Sequence, residues 1–234
     1  MIDLKDKLAL VTGASRGIGA ASAEALARAG AHVILVARNG KAMEEVEERI
    51  HAAGGSATIA PLDLTDGEAI VKLSSAVAER WGKLDILMLN AGMLGSLTPV
   101  QDIELKEYGR ILNLNLVANL ALISAFDPLL RRSDKAEVIG VTSSVGAKPR
   151  AFWGAYASSK AALESLLGSY ADETAYANKL RVTILDPGAT RTRMRSLAFP
   201  GEEPEEVKPP EVVAERILVL LGEERETGAK VRVD

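Results

Sequence analysis

The chain has 234 residues, 47% hydrophobic and 26% charged, which is enough apolar material for one substantial core. A net charge of −4 gives no field to attract nucleic acid or an anionic membrane. With no cysteine and only His32 and His51, disulfides and thiolate chemistry are excluded, a histidine metal centre or Ser-His-Asp triad is poorly supplied, and a cytoplasmic enzyme is the simplest expectation.

The opening "MIDLKDKLAL" lacks the basic end, long apolar stretch and cleavage site of a signal peptide, and no apolar run reads as long enough to cross a bilayer. In chain order, "LALVT" (8–12) predicts a strand and 17–29 a helix, then "HVILVA" (32–37) a strand and 41–53 a helix. "ATIAPL" (57–62) precedes a helix over 66–81, "DILMLN" (85–90) a long one over 104–131, and "EVIGVT" (137–142) one over 155–178. "RVTILD" (181–186) is a sixth strand and "KVRV" near the end a seventh. The strands read as buried on both faces, and their alternation with helices implies parallel strands joined by right-handed crossovers. The expected architecture is α/β, a Rossmann-like doubly wound parallel sheet flanked by helices, in a single domain spanning 1–234. One stretch, "FPGEEPEEVKPPE" (199–211), shifts in composition and reads as a mobile loop on the side where such sheets bind ligands, so 193–210 is a candidate lid.

"VTGASRGIGAA" joins the first strand to the first helix and carries Gly13, Gly17 and Gly19. Glycines there let the backbone turn tightly and approach a pyrophosphate, which the helix N-terminus stabilises. At the end of the second strand a carboxylate would accept from adenosine ribose hydroxyls, whereas an arginine holds a 2′-phosphate. This chain has Arg38 there and Arg16 in the turn, so NADP(H) is preferred over NAD(H).

"AYASSKAAL" (155–163) places Tyr156 and Lys160 four apart, on one helix face. Spacing alone leaves open a catalytic pair or an aromatic beside a surface charge. The ordered set of motifs decides, because it resembles the short-chain dehydrogenase/reductase family over essentially the whole chain. "TGASRGIG" (12–19) fits the family's TGxxxGxG, bringing Gly13, Ser15, Arg16, Gly17, Ile18 and Gly19 to the cofactor. "LDLTD" (62–66) fits the acidic site beside the adenine, with Asp63 and Leu64, and "NAG" supplies Asn90, Ala91 and Gly92. "NLVA" (115–118) gives Asn115, "YASSK" is the family's YxxxK with Ser143 thirteen residues earlier, and "PGATRT" places Pro187, Gly188, Thr190 and Thr192 along the nicotinamide. The chain departs from the family at its end, where "VRVD" lacks the two glycines that follow in many members.

A carbonyl reduction needs a hydride and a proton, and Tyr156 can deliver the proton. A nearby Lys160 ammonium is expected to lower the phenol's pKa, and Ser143 to donate to the substrate oxygen. The resemblance further implies that Lys160 also binds the nicotinamide ribose and that Asn115 holds a water linking Lys160 to solvent. On the residues alone, Asn115 is as readily a buried amide and Ser143 a strand-end hydroxyl. Phe152, Trp153, Leu197 and Phe199 are candidates for an apolar pocket, and Lys148, Arg150 and Arg193 for meeting an anionic tail. The expected partner is a small-molecule carbonyl or alcohol, with no nucleic acid or membrane, and the family suggests a homodimer or homotetramer. An idle NADP(H) sensor, an NAD-dependent alcohol dehydrogenase, and a dehydratase or epimerase remain as alternatives.

Overall fold

A computed structural model describes every residue except Met1 and Asn178. Seven strands form one sheet: β1 (Leu8–Thr12), β2 (His32–Ala37), β3 (Ser56–Pro61), β4 (Ile86–Leu89), β5 (Ala136–Val141), β6 (Leu180–Asp186) and β7 (Ala229–Arg232). Their order is β3-β2-β1-β4-β5-β6-β7, and every pairing is parallel. The order reverses between β1 and β4, so the crevice that such sheets use for ligands opens at their carboxyl ends.

Period-two alternation divides the strand side chains between two cores. Val11, Val33, Met88 and Ile139 face α1 (Gly17–Arg28), α2 (Gly40–Ala52) and α9 (Pro210–Gly222). Leu10, Ile34, Leu87 and Val138 face α3 (Gly67–Trp81), α5 (Ala118–Leu130) and α7 (Gly154–Thr174). Burial on both faces holds for β1, β4 and β5, but not for β3 and β7, which are only partly covered. They are the two edges of the sheet, where one flank has no neighbouring strand.

The long helix expected over 104–131 is α4 (Leu105–Leu112) and α5 joined by a π-helical turn at Asn113–Val117. The join makes Leu105–Leu130 continuous, and by length and mean hydropathy of 1.3 it is apolar enough to span a bilayer, contrary to the sequence expectation. Its inward face, with Leu122, Phe126 and Leu130, packs against the sheet, and Ile111 is buried against Gly95 in the segment after β4, whereas Val117 and Leu120 are exposed. The helix expected over 155–178 ends at Thr174 and continues as a 3-10 turn over Ala175–Ala177, and its last residue, Asn178, lies outside the described residues. The stretch read as a loop over 199–211 holds a 3-10 turn, Pro204–Glu206, and the start of α9.

Two buried carboxylates staple the sheet at the end opposite the crevice. Asp85 accepts from the Leu8 amide at 3.0 Å, Ser133 Oγ at 2.6 Å and Lys7 Nζ at 3.1 Å. Glu137 accepts from Thr183 Oγ1 at 2.6 Å and Arg181 Nε at 3.0 Å, and pairs with Arg225. Buried charges persist when they are paired and hydrogen-bonded in this way.

Candidate active site

Every site residue predicted from the sequence lies at the carboxyl end of the sheet, in the segments that follow β1 to β6 and on α7. Gly13 and Gly17 take positive φ values of 67° and 56°, the left-handed region that a side chain disfavours. A Cβ on Gly19 would fall onto the Gly13 carbonyl oxygen, so only glycine lets the turn fold back this tightly. Asn90 braces the turn from β4 by donating Nδ2 to the Thr12 carbonyl at 2.8 Å. Thr12, a residue not singled out in the sequence, holds the other side: its buried hydroxyl donates to the Met88 carbonyl at 3.0 Å and accepts from the Asn90 amide at 2.9 Å. The side chain of Asn90 thus serves the turn's backbone.

Arg16 stands at the N-cap of α1 in extended backbone and makes no side-chain cap. The first-turn amides are left facing the crevice, a setting that suits an anion. Thr192 approaches from the opposite wall, its methyl 3.3 Å from where a Gly17 Cβ would stand. Its hydroxyl caps α8 (Arg193–Ala198) by accepting from the Arg195 amide at 3.2 Å. Arg16 and Arg38 are exposed, and neither joins an ion pair among the described residues. Asp63 accepts from the amide and hydroxyl of Thr65 at 2.9 and 2.8 Å, and these bonds, with help from the Arg38 charge, hold its carboxyl below the usual range. Leu64 is buried behind it.

The segment 187–192 is fastened from below. Gly188 has φ 62°, and Thr190 Oγ1 donates to the Pro187 carbonyl at 3.0 Å. Lys208 accepts the Arg191 amide at its carbonyl, 2.8 Å away, and donates Nζ to the Val233 carbonyl at 2.8 Å.

On α7, Tyr156 and Lys160 lie on the buried face, 7% and 3% exposed. Lys160 Nζ donates to the Val141 carbonyl at 2.8 Å and stands 5.8 Å from the centre of the Tyr156 ring. Burial pushes the Tyr156 phenol up to about 12, with the Ser143 hydroxyl, close enough to hydrogen-bond it, acting the other way and Asp186 adding to the rise. Burial lowers Lys160 to about 8, opposed by the Glu164 charge. The expected lowering of the phenol by Lys160 is therefore not what the structure shows: desolvation raises the phenol, Ser143 is the group that opposes it, and the ammonium is directed at a backbone carbonyl. Tyr156 consequently stays protonated at neutral pH.

Asn115 is fully buried in the π-helical turn. Its Oδ1 accepts from the Met93 amide at 2.8 Å, and its Nδ2 donates to the Met93 carbonyl at 2.9 Å and to Ser159 Oγ at 3.0 Å. The amide group is thus spent on locking the segment after β4 to α7. Gly92 lies against it, with a Cβ position 3.2 Å from Asn115 Oδ1 and 3.6 Å from Lys160 Nζ.

An apolar wall completes the site: Leu94, Leu97, Val145, Trp153, Met194 and Ala198 cluster around Tyr156. Trp153 meets Tyr156 edge-on at 6.0 Å and Phe199 at 5.8 Å, and the Arg195 guanidinium covers Phe199 at 3.7 Å. Arg195 in turn forms a two-pronged ion pair with Glu202, one arm at 2.6 Å. Of the proposed pocket residues, Trp153 and Phe199 thus join the wall, whereas Phe152 and Leu197 are exposed at its rim, as are Lys148, Arg150 and Arg193.

Comparison with known proteins agrees with this geometry. The family described as short chain dehydrogenase matches residues 7–203. The chain is 38% identical over 230 residues to the uncharacterised oxidoreductase YciK of Escherichia coli K12, covering 96% of this chain and 90% of that one. A solved structure from Pseudomonas syringae, described as a short chain dehydrogenase, superposes with a TM-score of 0.95 at 37% identity, covering 99% of this chain and 96% of that one. A similar protein from Shigella flexneri 2a, solved in complex with NADP, has a TM-score of 0.93 at 37% identity, covering 100% and 99%.

Proposed function

Because this chain belongs to the short-chain dehydrogenase family, we propose that it is an NADP(H)-dependent oxidoreductase that interconverts a carbonyl and an alcohol on an apolar small molecule. The observation that carries the reading is a buried, protonated Tyr156 facing Ser143, with Lys160 one helical turn away. Bound at the glycine turn, the dinucleotide supplies the hydride. Gly13, Ser15, Gly17, Ile18 and Gly19 with the first turn of α1 would hold its pyrophosphate, Asp63 and Leu64 its adenine end, and Asn90, Ala91, Gly92, Pro187, Gly188, Thr190 and Thr192 the rest of it. Arg16 and Arg38, exposed and without carboxylate partners among the described residues, suit a 2′-phosphate, in keeping with the NADP held by the Shigella flexneri protein.

In reduction, Ser143 donates to the carbonyl oxygen and fixes it beside Tyr156. As negative charge grows on that oxygen, Tyr156 Oη would pass its proton to it. Lys160 stabilises the resulting phenolate by its charge, and Asn115 keeps the segment after β4 and the catalytic helix in register. Oxidation of the alcohol is the same path reversed. The wall around Tyr156 favours a carbonyl carried on an apolar frame. The exposed Val117 and Leu120 favour pairing of the long helix with that of a second copy.

The decisive experiment is a parallel titration of NADPH and NADH into wild type and Tyr156→Phe, followed by turnover on apolar ketones. Tighter NADPH binding in both proteins, with turnover reduced by about 10²- to 10⁴-fold in the variant, is the expected result. Undiminished turnover without the hydroxyl would remove the proton-donor role, and a preference for NADH would remove the arginine reading.

A further inference from the structure

Glu164 belongs to none of the motifs above, yet it lies on the same face of α7 as the catalytic pair, one turn beyond Lys160 and two beyond Tyr156. It is 9% exposed. Its Oε1 accepts from Thr142 Oγ1 at 2.6 Å, and its Oε2 accepts from Lys230 Nζ at 3.0 Å. Thr142 immediately precedes Ser143, and the short helix α6 (Ser144–Ala147) that Ser143 opens packs on the same carboxylate, with a Cβ position on Gly146 only 3.0 Å from Oε1. A cavity of about 170 Å³ beside this segment is lined by Ser143, Glu164, Asp186 and Lys230 together with the apolar Ile184 and Val231.

Two cations compete for the Glu164 charge. The Lys230 side chain is 66% exposed, so water and salt screen its attraction strongly. Lys160 stands one helical turn from Glu164 and is buried, where a charge acts through a much lower effective dielectric and is screened far less. The Glu164 charge therefore acts on Lys160 as well as on its ion-pair partner Lys230, and favours the protonated form of Lys160. The other titratable groups around this line are Tyr156 on α7, Asp186 at the end of β6, and Arg232 on β7, which pairs with Asp186 at 3.4 Å. The π-helical turn and β5 bring only neutral groups, the Asn115 amide and the Val141 carbonyl.

We propose that Glu164 is a positioning residue of the site: it is the buried counter-charge that keeps Lys160 an ammonium, and through Thr142 it anchors the segment that carries Ser143. This rests on the roles proposed above for Tyr156, Lys160 and Ser143. Glutamine can keep the hydrogen bond from Thr142 but not the charge, so the charge is the part of the proposal that anchoring the Ser143 segment does not require.

The test reads Lys160 directly, by NMR titration of the full-length protein carrying ¹³C-labelled lysine, with the Lys160 signal assigned by its loss in Lys160→Arg. Wild type should titrate near 8. Glu164→Gln should move the midpoint down by about one pH unit. Lys230→Met should move it up, since the carboxylate then serves Lys160 alone. In parallel, kcat of Glu164→Gln should fall about fivefold at pH 8 and only about 1.3-fold at pH 6.5, where most of Lys160 is protonated in either protein. An unchanged midpoint in Glu164→Gln overturns the proposal. Should that variant not fold, a midpoint unchanged or lowered in the surface variant Lys230→Met overturns it instead. An active Tyr156→Phe would sink the reductase reading and leave this titration intact, so the two failures are distinguishable.

Discussion

At the scale of single residues, burial sets the protonation states on which the site depends. Tyr156 rises to about 12 and Lys160 falls to about 8, so near neutrality the pair is phenol and ammonium, the state that the proposed reduction requires. Since the phenol keeps its proton well above pH 10, the first group to fail on the alkaline side is Lys160. Reduction should therefore be level from pH 6.5 to 7.5 and decline above pH 8. A stopped-flow pH profile checks this, and a profile that stays level to pH 10 would show that the ammonium is not needed. The sign for stability is opposite: between about 8 and 10.5 the unfolded chain binds a proton that the folded chain has lost, so this group makes folding more favourable as pH rises while activity declines. The sequence made the identities of these groups legible through spacing and motif, but not their ionisation, which depends on the depth at which α7 buries them. It likewise left Thr12 and Glu164 unseen, because a threonine at a strand end and a glutamate in a helix acquire meaning only from what they touch.

At the scale of elements, the helix that carries Tyr156 and Lys160 is held at its depth by a contact with the sheet. A Cβ on Gly140 of β5 would overlap Leu167 Cδ1 of α7 and come within 3.3 Å of its Cδ2, so glycine permits the close crossing that sets Tyr156 and Lys160 above the strand ends. Gly140→Ala should cost about 1–3 kcal/mol through overpacking and reduce kcat, while Leu167→Ala should cost about 2–5 kcal/mol through the cavity it leaves. In the double variant the new methyl enters space that the leucine vacates, so urea midpoints should show a loss smaller than the sum. Strict additivity would mean that the two positions do not share this space. Strand positions were legible to within a residue because fully buried runs of Val, Ile and Leu have few other uses. α9 was not, since Pro209 and Pro210 read as loop punctuation although proline also opens helices. Its buried Val213, Ile217, Leu220 and Leu221 nevertheless keep a helical spacing.

At the scale of the whole molecule, the question is what covers the outer face of Leu105–Leu130. Composition alone would allow a bilayer, but the helix carries Lys106, Glu107, Arg110 and Asp127, and its inner face is committed to the sheet. Asp127 is itself engaged, accepting from Tyr170 Oη and Arg131 Nε at 2.7 Å each. Val117 and Leu120, 50% and 47% exposed and three residues apart, form a narrow apolar strip suited to the same strip on a second copy. Half-burying four such side chains across a two-fold axis gains on the order of 3–6 kcal/mol, which barely meets the lower estimates for the cost of association, so neighbouring contacts must contribute and the dimer should be weak. Sedimentation equilibrium at tens of micromolar should detect it, and Val117→Glu with Leu120→Glu should abolish it without lowering the melting temperature. Because all the proposed catalytic and cofactor residues come from one chain, the monomeric variant should retain turnover. A wild-type protein that sediments as a monomer throughout would remove the pairing and leave the site untouched.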